Sequence, residues 1–186
     1  MTKTKKQILL FFLFAFAVYC ALTIGQSWDG EAELLKGKVA LDYLFSFGKI
    51  DEKFLYRENY SPIYWSILYL LTSIFPSNYQ IETSHIFNLI FSLCSIFGIG
   101  KLSKELFNDK VGKLTFLILF FYPIYFGHLA FNNKDTILAF CHVWITYLLI
   151  RYLKKQNIKD KVNNYIVSLA VLAAIATGIQ LVFLGS

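Results

Sequence analysis

Pro62-Ile63-Tyr64-Trp65-Ser66-Ile67-Leu68-Tyr69-Leu70-Leu71-Thr72-Ser73-Ile74-Phe75 decides how many times this chain crosses a membrane. A spanning helix needs about 20 mainly apolar residues. This run is shorter, opens on a proline and is followed by Pro76. Proline suits a first helical turn, and Tyr64, Trp65 and Tyr69 suit headgroup depth, so the run reads as a helix lying in the membrane surface. Charge supports that reading. If the run spanned, Lys101, Lys104, Lys110, Lys113 and the Arg151 to Lys161 cluster would all face outward, against the positive-inside rule. If it lies on the surface, twelve of the eighteen basic residues face the cytoplasm and nine of the twelve acidic residues face out.

Five further apolar runs then become spans: Ile8 to Gly25, His85 to Gly100, Leu114 to Gly127, Thr136 to Leu153 and Tyr165 to Leu184. The short Leu114 run is expected to extend from Val111 to Leu129, with neighbouring helices tolerating the mismatch. The expected architecture is an all-α polytopic membrane module over residues 1–186, with its N-terminus in the cytoplasm. The basic start at Lys3, Lys5 and Lys6 resembles a secretory signal, but no small-x-small cleavage site follows, so the first run is expected to stay as an anchor. Gln26 to Ser84 forms a long outer loop and His128 to Asp135 a short one. Within the long loop, Glu31 to Phe47 alternates apolar and charged residues at helical spacing, with Gly48 as its stop. It predicts a second, amphipathic surface helix, although Gly37 in its middle speaks against one.

Hydrophobic residues make up 56% of the chain and charged residues 16%, against about 25% charged in an ordinary soluble domain. That is the profile of a multi-span membrane protein and not of a soluble domain. The net charge of +6 sits beside the apolar runs and not along an aromatic-interleaved surface, so it reads as membrane orientation and not nucleic-acid binding. Cys20, Cys94 and Cys141 all fall inside apolar runs and are expected to pack as small hydrophobes. Gly98, Gly100, Ala173, Ala174 and Gly178 predict close helix contacts with partners outside this chain.

Two polar clusters interrupt this apolar background on the outer side. One is Ser27-Trp28-Asp29-Gly30-Glu31, directly after the first run. The other lies in Phe126 to Trp144, where His128 and Asn132-Asn133-Lys134-Asp135 separate two apolar runs. Ionisable groups in such places are costly and mark functional sites.

Asp29 after the first span, an outer loop with two surface helices, the Leu106-Phe107-Asn108 turn, and Pro123-Ile124-Tyr125-Phe126-Gly127-His128 leading to Asn132-Asn133-Lys134-Asp135 resemble the N-terminal module of GT-C glycosyltransferases. More narrowly, the chain is similar to the protein mannosyltransferase and aminoarabinose transferase branch, family 39-like. It departs where relatives carry Asp-Glu for Asp29-Gly30, Asn-Pro-Lys-Asp for Asn132-Asn133-Lys134-Asp135, and Arg for Gln180. Those relatives continue through further helices past the point matching Leu184-Gly185-Ser186, so the resemblance implies a partial protein.

The resemblance implies an inverting transferase in a bacterial-type inner membrane. It would move a sugar from a polyprenyl-phosphate donor to a protein, lipid or glycan acceptor on the outer face. Such transfer needs a base for the acceptor hydroxyl and cationic or hydrogen-bonding groups for the departing phosphate. Asp29 is the candidate base and Asp135 the second catalytic carboxylate. Lys134, His128 and Asn132 are expected to bind the donor, and Glu58 and Glu31 to assist binding. Asp29 and Asp135 also suit helix capping, and Glu58 beside Arg57 suits a solvent ion pair. No cofactor is called for; a divalent metal stays open, without a tight His/Asp/Glu spacing to hold one. His85 reads as a span boundary, and His142 and Trp144 as packing or interhelical hydrogen-bonding residues. A non-catalytic subunit or flippase for lipid-linked sugars is the alternative function.

Overall fold

The computed structural model describes residues 3–28, 30–49, 63–132, 134–156, 159–180 and 183, and among them it is all-helical, without strands. The helices are α1 (Lys3–Thr23), α2 (Gly30–Phe45), α3 (Ile63–Thr72), α4 (Gln80–Leu106), α5 (Asp109–Phe121), α6 (Pro123–His128), α7 (Asp135–Lys154) and α8 (Lys159–Ile179). A 3-10 turn at Ser77–Tyr79 leads into α4. Two stretches, Ser77–Leu106 and Asp135–Lys154, are long and apolar enough to cross a membrane, and Gln7–Thr23, Ile63–Thr72 and Asn164–Ile179 are shorter apolar helices.

The fourth apolar run is not one helix. α5 is capped by Asn108, whose Oδ1 accepts from the N–H groups of Lys110 and Val111, both at 3.0 Å. After the thirteen residues of α5, Tyr122 turns extended, at φ −70° and ψ 113°, and Pro123 opens α6. The cause is steric: the ring of Pro123 disfavours the helical region for the residue before it. The continuous helix expected from Val111 to Leu129 is therefore replaced by two segments.

α4 runs down the middle. It pairs with α5 as an antiparallel hairpin whose closest approach is Gly100 against Gly112; a Cβ on Gly112 would lie 2.6 Å from the Gly100 oxygen. α7 lies parallel to α4, with Trp144 Nε1 donating to the Cys94 oxygen at 3.2 Å and Gly98 giving room to Val143 and Trp144. α8 returns along α7, and Gly178 receives Ile63 of α3. The small residues expected to await outside partners thus include three, Gly98, Gly100 and Gly178, that face helices of this same chain.

At one end of α4 and α7, Glu105 is held by Arg151 at 3.0 Å and Lys154 at 3.2 Å. Arg151 and Lys154 together hold the Glu105 carboxyl below its ordinary value. Asp109 at the start of α5 pairs with Lys104 at 2.8 Å and with Lys113.

The other end gathers the end of α1, all of α2 and α3, α6, and the starts of α4 and α7. Two apolar clusters build it. Ala17, Ala21, Leu89, Phe120, Leu129 and Ala130 join α1, α4, α5 and the segment after α6. Leu34, Tyr64, Trp65, Leu68, Ile137 and Ile179 join α2, α3, α7 and α8.

The amphipathic stretch is helical as expected, and Gly37 explains itself in three dimensions. It is the crossing point of α2 over α3, where a Cβ would lie 2.2 Å from the Trp65 oxygen. The helix ends in a Schellman arrangement, with Gly48 N–H to the Tyr43 oxygen at 2.9 Å and Phe47 N–H to the Leu44 oxygen at 3.3 Å. The left-handed position usually given to glycine is taken by Phe47, at φ 54°, one residue before Gly48.

Candidate functional site

The end of α1 and the segment carrying the second polar cluster are both tied to the first turns of α4. His85 lies five residues inside α4, which begins at Gln80, and is buried, with Nδ1 donating to the Ala21 oxygen of α1 at 3.1 Å. A carbonyl only accepts, so the bond fixes Nδ1 as the protonated nitrogen. One turn on, Asn88 Nδ2 donates to the Leu129 oxygen at 3.1 Å and Ser92 Oγ donates to the same oxygen at 2.8 Å. Thr136 Oγ1 bridges the Asn88 Oδ1, at 3.0 Å, and the Asn132 oxygen. Asn88, Ser92 and Thr136 are all buried, so this network forms a rigid floor under the segment from Leu129 to Thr136.

On that floor His128, Asn132, Lys134 and Asp135 share one short segment. Asp135 opens α7 and does not cap it. The N-cap position is Lys134, and Asn132, two residues before it, accepts the Asp135 N–H on Oδ1 at 3.2 Å while its Nδ2 donates to Asp135 Oδ2 at 3.2 Å. This reciprocal pair holds the Asp135 carboxylate at a helix N-terminus, where negative charge is favoured. His128 is exposed and leans on Phe131, with ring centres 5.2 Å apart. Lys134 is half-buried immediately before α7.

The first cluster is less completely described. Asp29, Glu58, Arg57 and Asn133 lie outside the described residues. Around Asp29, Trp28 is 99% exposed, and the Gly30 N–H donates to the Ser27 oxygen at 3.2 Å as α2 begins. Glu31, in the first turn of α2, is exposed and accepts from Gln26 Nε2 at 3.3 Å. Glu31 stands three residues before Leu34, whose cluster includes Ile137, two residues beyond Asp135.

Two groups here escaped the sequence reading. Glu82, in the first turn of α4 near His85, has a buried Oε2 without a hydrogen-bond partner among the described residues. Tyr64, at the start of α3, has a buried hydroxyl in the same condition. Burial pushes the Tyr64 phenol above its ordinary pKa, and the nearby Glu33 carboxylate adds to the effect. The legible signal for the floor was the spacing Ser84, His85, Asn88, Ser92 and Ser95, a polar stripe at three- and four-residue steps along an apolar helix.

Trp144 and His142 behave as expected. Trp144 makes its interhelical bond, and His142 packs on Phe183 with ring centres 4.4 Å apart. Among the described residues no three His, Cys, Asp or Glu side chains gather as metal ligands. The three cysteines are free, and Cys141 is fully buried.

The segment from His128 to Asp135 offers a carboxylate, a lysine and a histidine at one end of an apolar helical bundle, over the network of Asn88, Ser92 and Thr136. Comparison with protein families gives a match over residues 60–183 to the model described as dolichyl-phosphate-mannose-protein mannosyltransferase. No curated protein and no solved structure matches significantly. The matched segment covers α3 to α8, about two thirds of the sequence, and on that match the chain belongs to the dolichyl-phosphate-mannose-protein mannosyltransferase family.

Proposed function

We propose that this chain is the donor-binding and catalytic-base part of a GT-C glycosyltransferase, which moves a sugar from a polyprenyl phosphate to an acceptor hydroxyl at the outer membrane face. In this reading Asp29 takes the proton of the acceptor hydroxyl as its oxygen attacks the anomeric carbon. The bond from that carbon to the phosphate oxygen breaks, and the phosphate leaves with the electron pair. Attack opposite the leaving group inverts the anomeric centre. Lys134 pairs with the phosphate charge, with His128 and Asn132 as hydrogen-bonding partners and Asp135 as the second carboxylate. Glu31 and Glu58 assist substrate binding.

The observation that carries the reading, beside family membership, is that His85 and Asn88 fasten the end of α1 and the Leu129 to Thr136 segment to the same end of α4. The stretch leading to Asp29 and the segment carrying Lys134 and Asp135 therefore start from a common anchor. Charge distribution supports the accompanying topology, in which α1, α4, the α5–α6 pair, α7 and α8 cross the inner membrane with the N-terminus in the cytoplasm. The Glu105–Arg151–Lys154 and Lys104–Asp109–Lys113 groups then lie at the cytoplasmic face. α2 and α3 then lie on the outer side.

The test is transfer from a polyprenyl-phosphate sugar by full-length protein in membranes carrying Asp29→Asn. Loss of a general base costs about 10²–10⁴-fold in rate. Full transfer activity in that variant would refute the assignment.

A further inference from the structure

α4 and α7, the two helices long and apolar enough to cross a membrane, are joined at one end by ion pairs. Glu105 is shared by Arg151 and Lys154, and Asp109 by Lys104 and Lys113, so two carboxylates face four cations. This end stays positive after its ion pairs are made.

Lys101 stands apart from that set. It lies one turn before Glu105, about 6 Å further into the apolar stretch of α4. A lysine at the edge of a span ordinarily extends its ammonium toward water. Lys101 does the reverse. Its Nζ lies 4.8 Å from the ring centre of Phe97, one turn back on α4, and 5.3 Å from that of Trp144 on α7. Helical geometry favours this direction, because side chains lean toward the N-terminus. The indole is fixed in place: its Nε1 donates to the Cys94 oxygen at 3.2 Å, and Tyr147 meets it edge-on with ring centres 5.7 Å apart. Phe97 is 52% exposed, so this groove between α4 and α7 opens to the surroundings of the bundle.

Ring faces attract a cation but carry no net charge. Among the described residues, the ion pairs of Glu105 and Asp109 do not include Lys101. An ammonium at the edge of an apolar span calls for an anion. A soluble anion would have to leave water to reach it. A lipid phosphate is already near that depth, and its acyl chain would lie along Phe97. The surplus of positive charge at this end repels the cation of a zwitterionic headgroup and favours a headgroup of net negative charge.

We infer that the groove formed by Phe97, Lys101 and Trp144 binds the phosphate of an anionic phospholipid in the cytoplasmic leaflet. The leaflet rests on the orientation proposed above, whereas the groove itself does not depend on glycosyl transfer.

Native mass spectrometry of the full-length protein in detergent micelles tests this, by retention of phosphatidylglycerol against phosphatidylcholine of the same chains. The variants are Lys101→Gln, Lys101→Arg and Lys110→Gln. Lys110 is exposed in the first turn of α5 and carries the same charge away from the Phe97 and Trp144 rings. The expected result is a wild-type preference for phosphatidylglycerol that falls about tenfold in Lys101→Gln, the worth of one charge-assisted contact. Lys101→Arg restores the preference and Lys110→Gln leaves it unchanged. Equal retention of the two lipids by wild type overturns the site. An equal fall in Lys110→Gln overturns it too, by making the preference one of diffuse surface charge. Displacement of phosphatidylglycerol by inorganic phosphate at constant ionic strength overturns the lipid assignment. Labelling of Lys155→Cys from outside the cell, with the lipid preference intact, overturns the leaflet and the orientation but not the groove.

Discussion

Gly37→Ala tests the packing that shapes this end of the molecule. The added Cβ would lie 2.2 Å from the Trp65 oxygen, 2.6 Å from its carbonyl carbon and 3.0 Å from Tyr69 Cβ. Ordinary contact is about 3.5 Å, so α2 and α3 must part by about 1 Å. The atoms met are mostly backbone and have no rotamer to escape into. Overpacking of this kind costs about 1–3 kcal/mol, while the better helix propensity of alanine returns up to about 1 kcal/mol. The net expectation is a loss of about 1–2 kcal/mol in the docking of α2 on α3, a factor of about 5–30 in the opening equilibrium. Hydrogen exchange of the α2 amides in detergent reads this directly. Gly127→Ala is the control, because a Cβ there meets nothing within 4 Å, and α6 should be unchanged or slightly better protected. If Gly37→Ala leaves α2 as protected as in wild type, or Gly127→Ala loosens its own helix as much, the close-approach argument fails.

Asn88→Ala should cost about 1–3 kcal/mol by releasing Leu129 and Thr136, and Asn88→Ala with Ser92→Ala should depart from additivity, because both side chains serve the Leu129 oxygen; thermal unfolding of the single and double variants measures both. Glu105 gives a pH signature at the opposite end. Its pKa is lowered in the folded state by Arg151 and Lys154, so its contribution is present above the unfolded carboxylate pKa and is lost as pH falls through the folded value. Stability followed through the acid range should show that loss in wild type and not in Glu105→Gln. Lys155→Cys should resist an impermeant thiol reagent applied from outside intact cells, and modification there would overturn the five-span orientation.

Much of this molecule was readable as sequence because apolar run length and charge placement act locally. Ile8 to Gly25, His85 to Gly100, Thr136 to Leu153 and Tyr165 to Leu184 each lie within or largely overlap a helix, since a residue run's hydropathy does not depend on its neighbours in space. The Glu31 to Phe47 periodicity was legible for the same reason. The segment from His128 to Asp135 was legible as a candidate site because polar residues between apolar runs stand out without any knowledge of contacts.

What the sequence alone determined, then, was the helical class, the place of the runs and the polar segments between them. What the tertiary structure decided was who meets whom. Gly37 read as a weakness in a helix, and is the point where Trp65 must come close. Gly98, Gly100 and Gly178 read as sockets for absent partners, and are filled by Val143 and Trp144, by Gly112, and by Ile63. His85 read as the edge of a span, and its bond to Ala21 fastens α1 to α4. Tyr64 read as an interfacial aromatic, and its buried, unpartnered hydroxyl depends on α2, α4 and α7 closing around it. Run length and charge are properties of a segment, whereas close approach, burial and hydrogen-bond partnership are properties of pairs far apart in the chain.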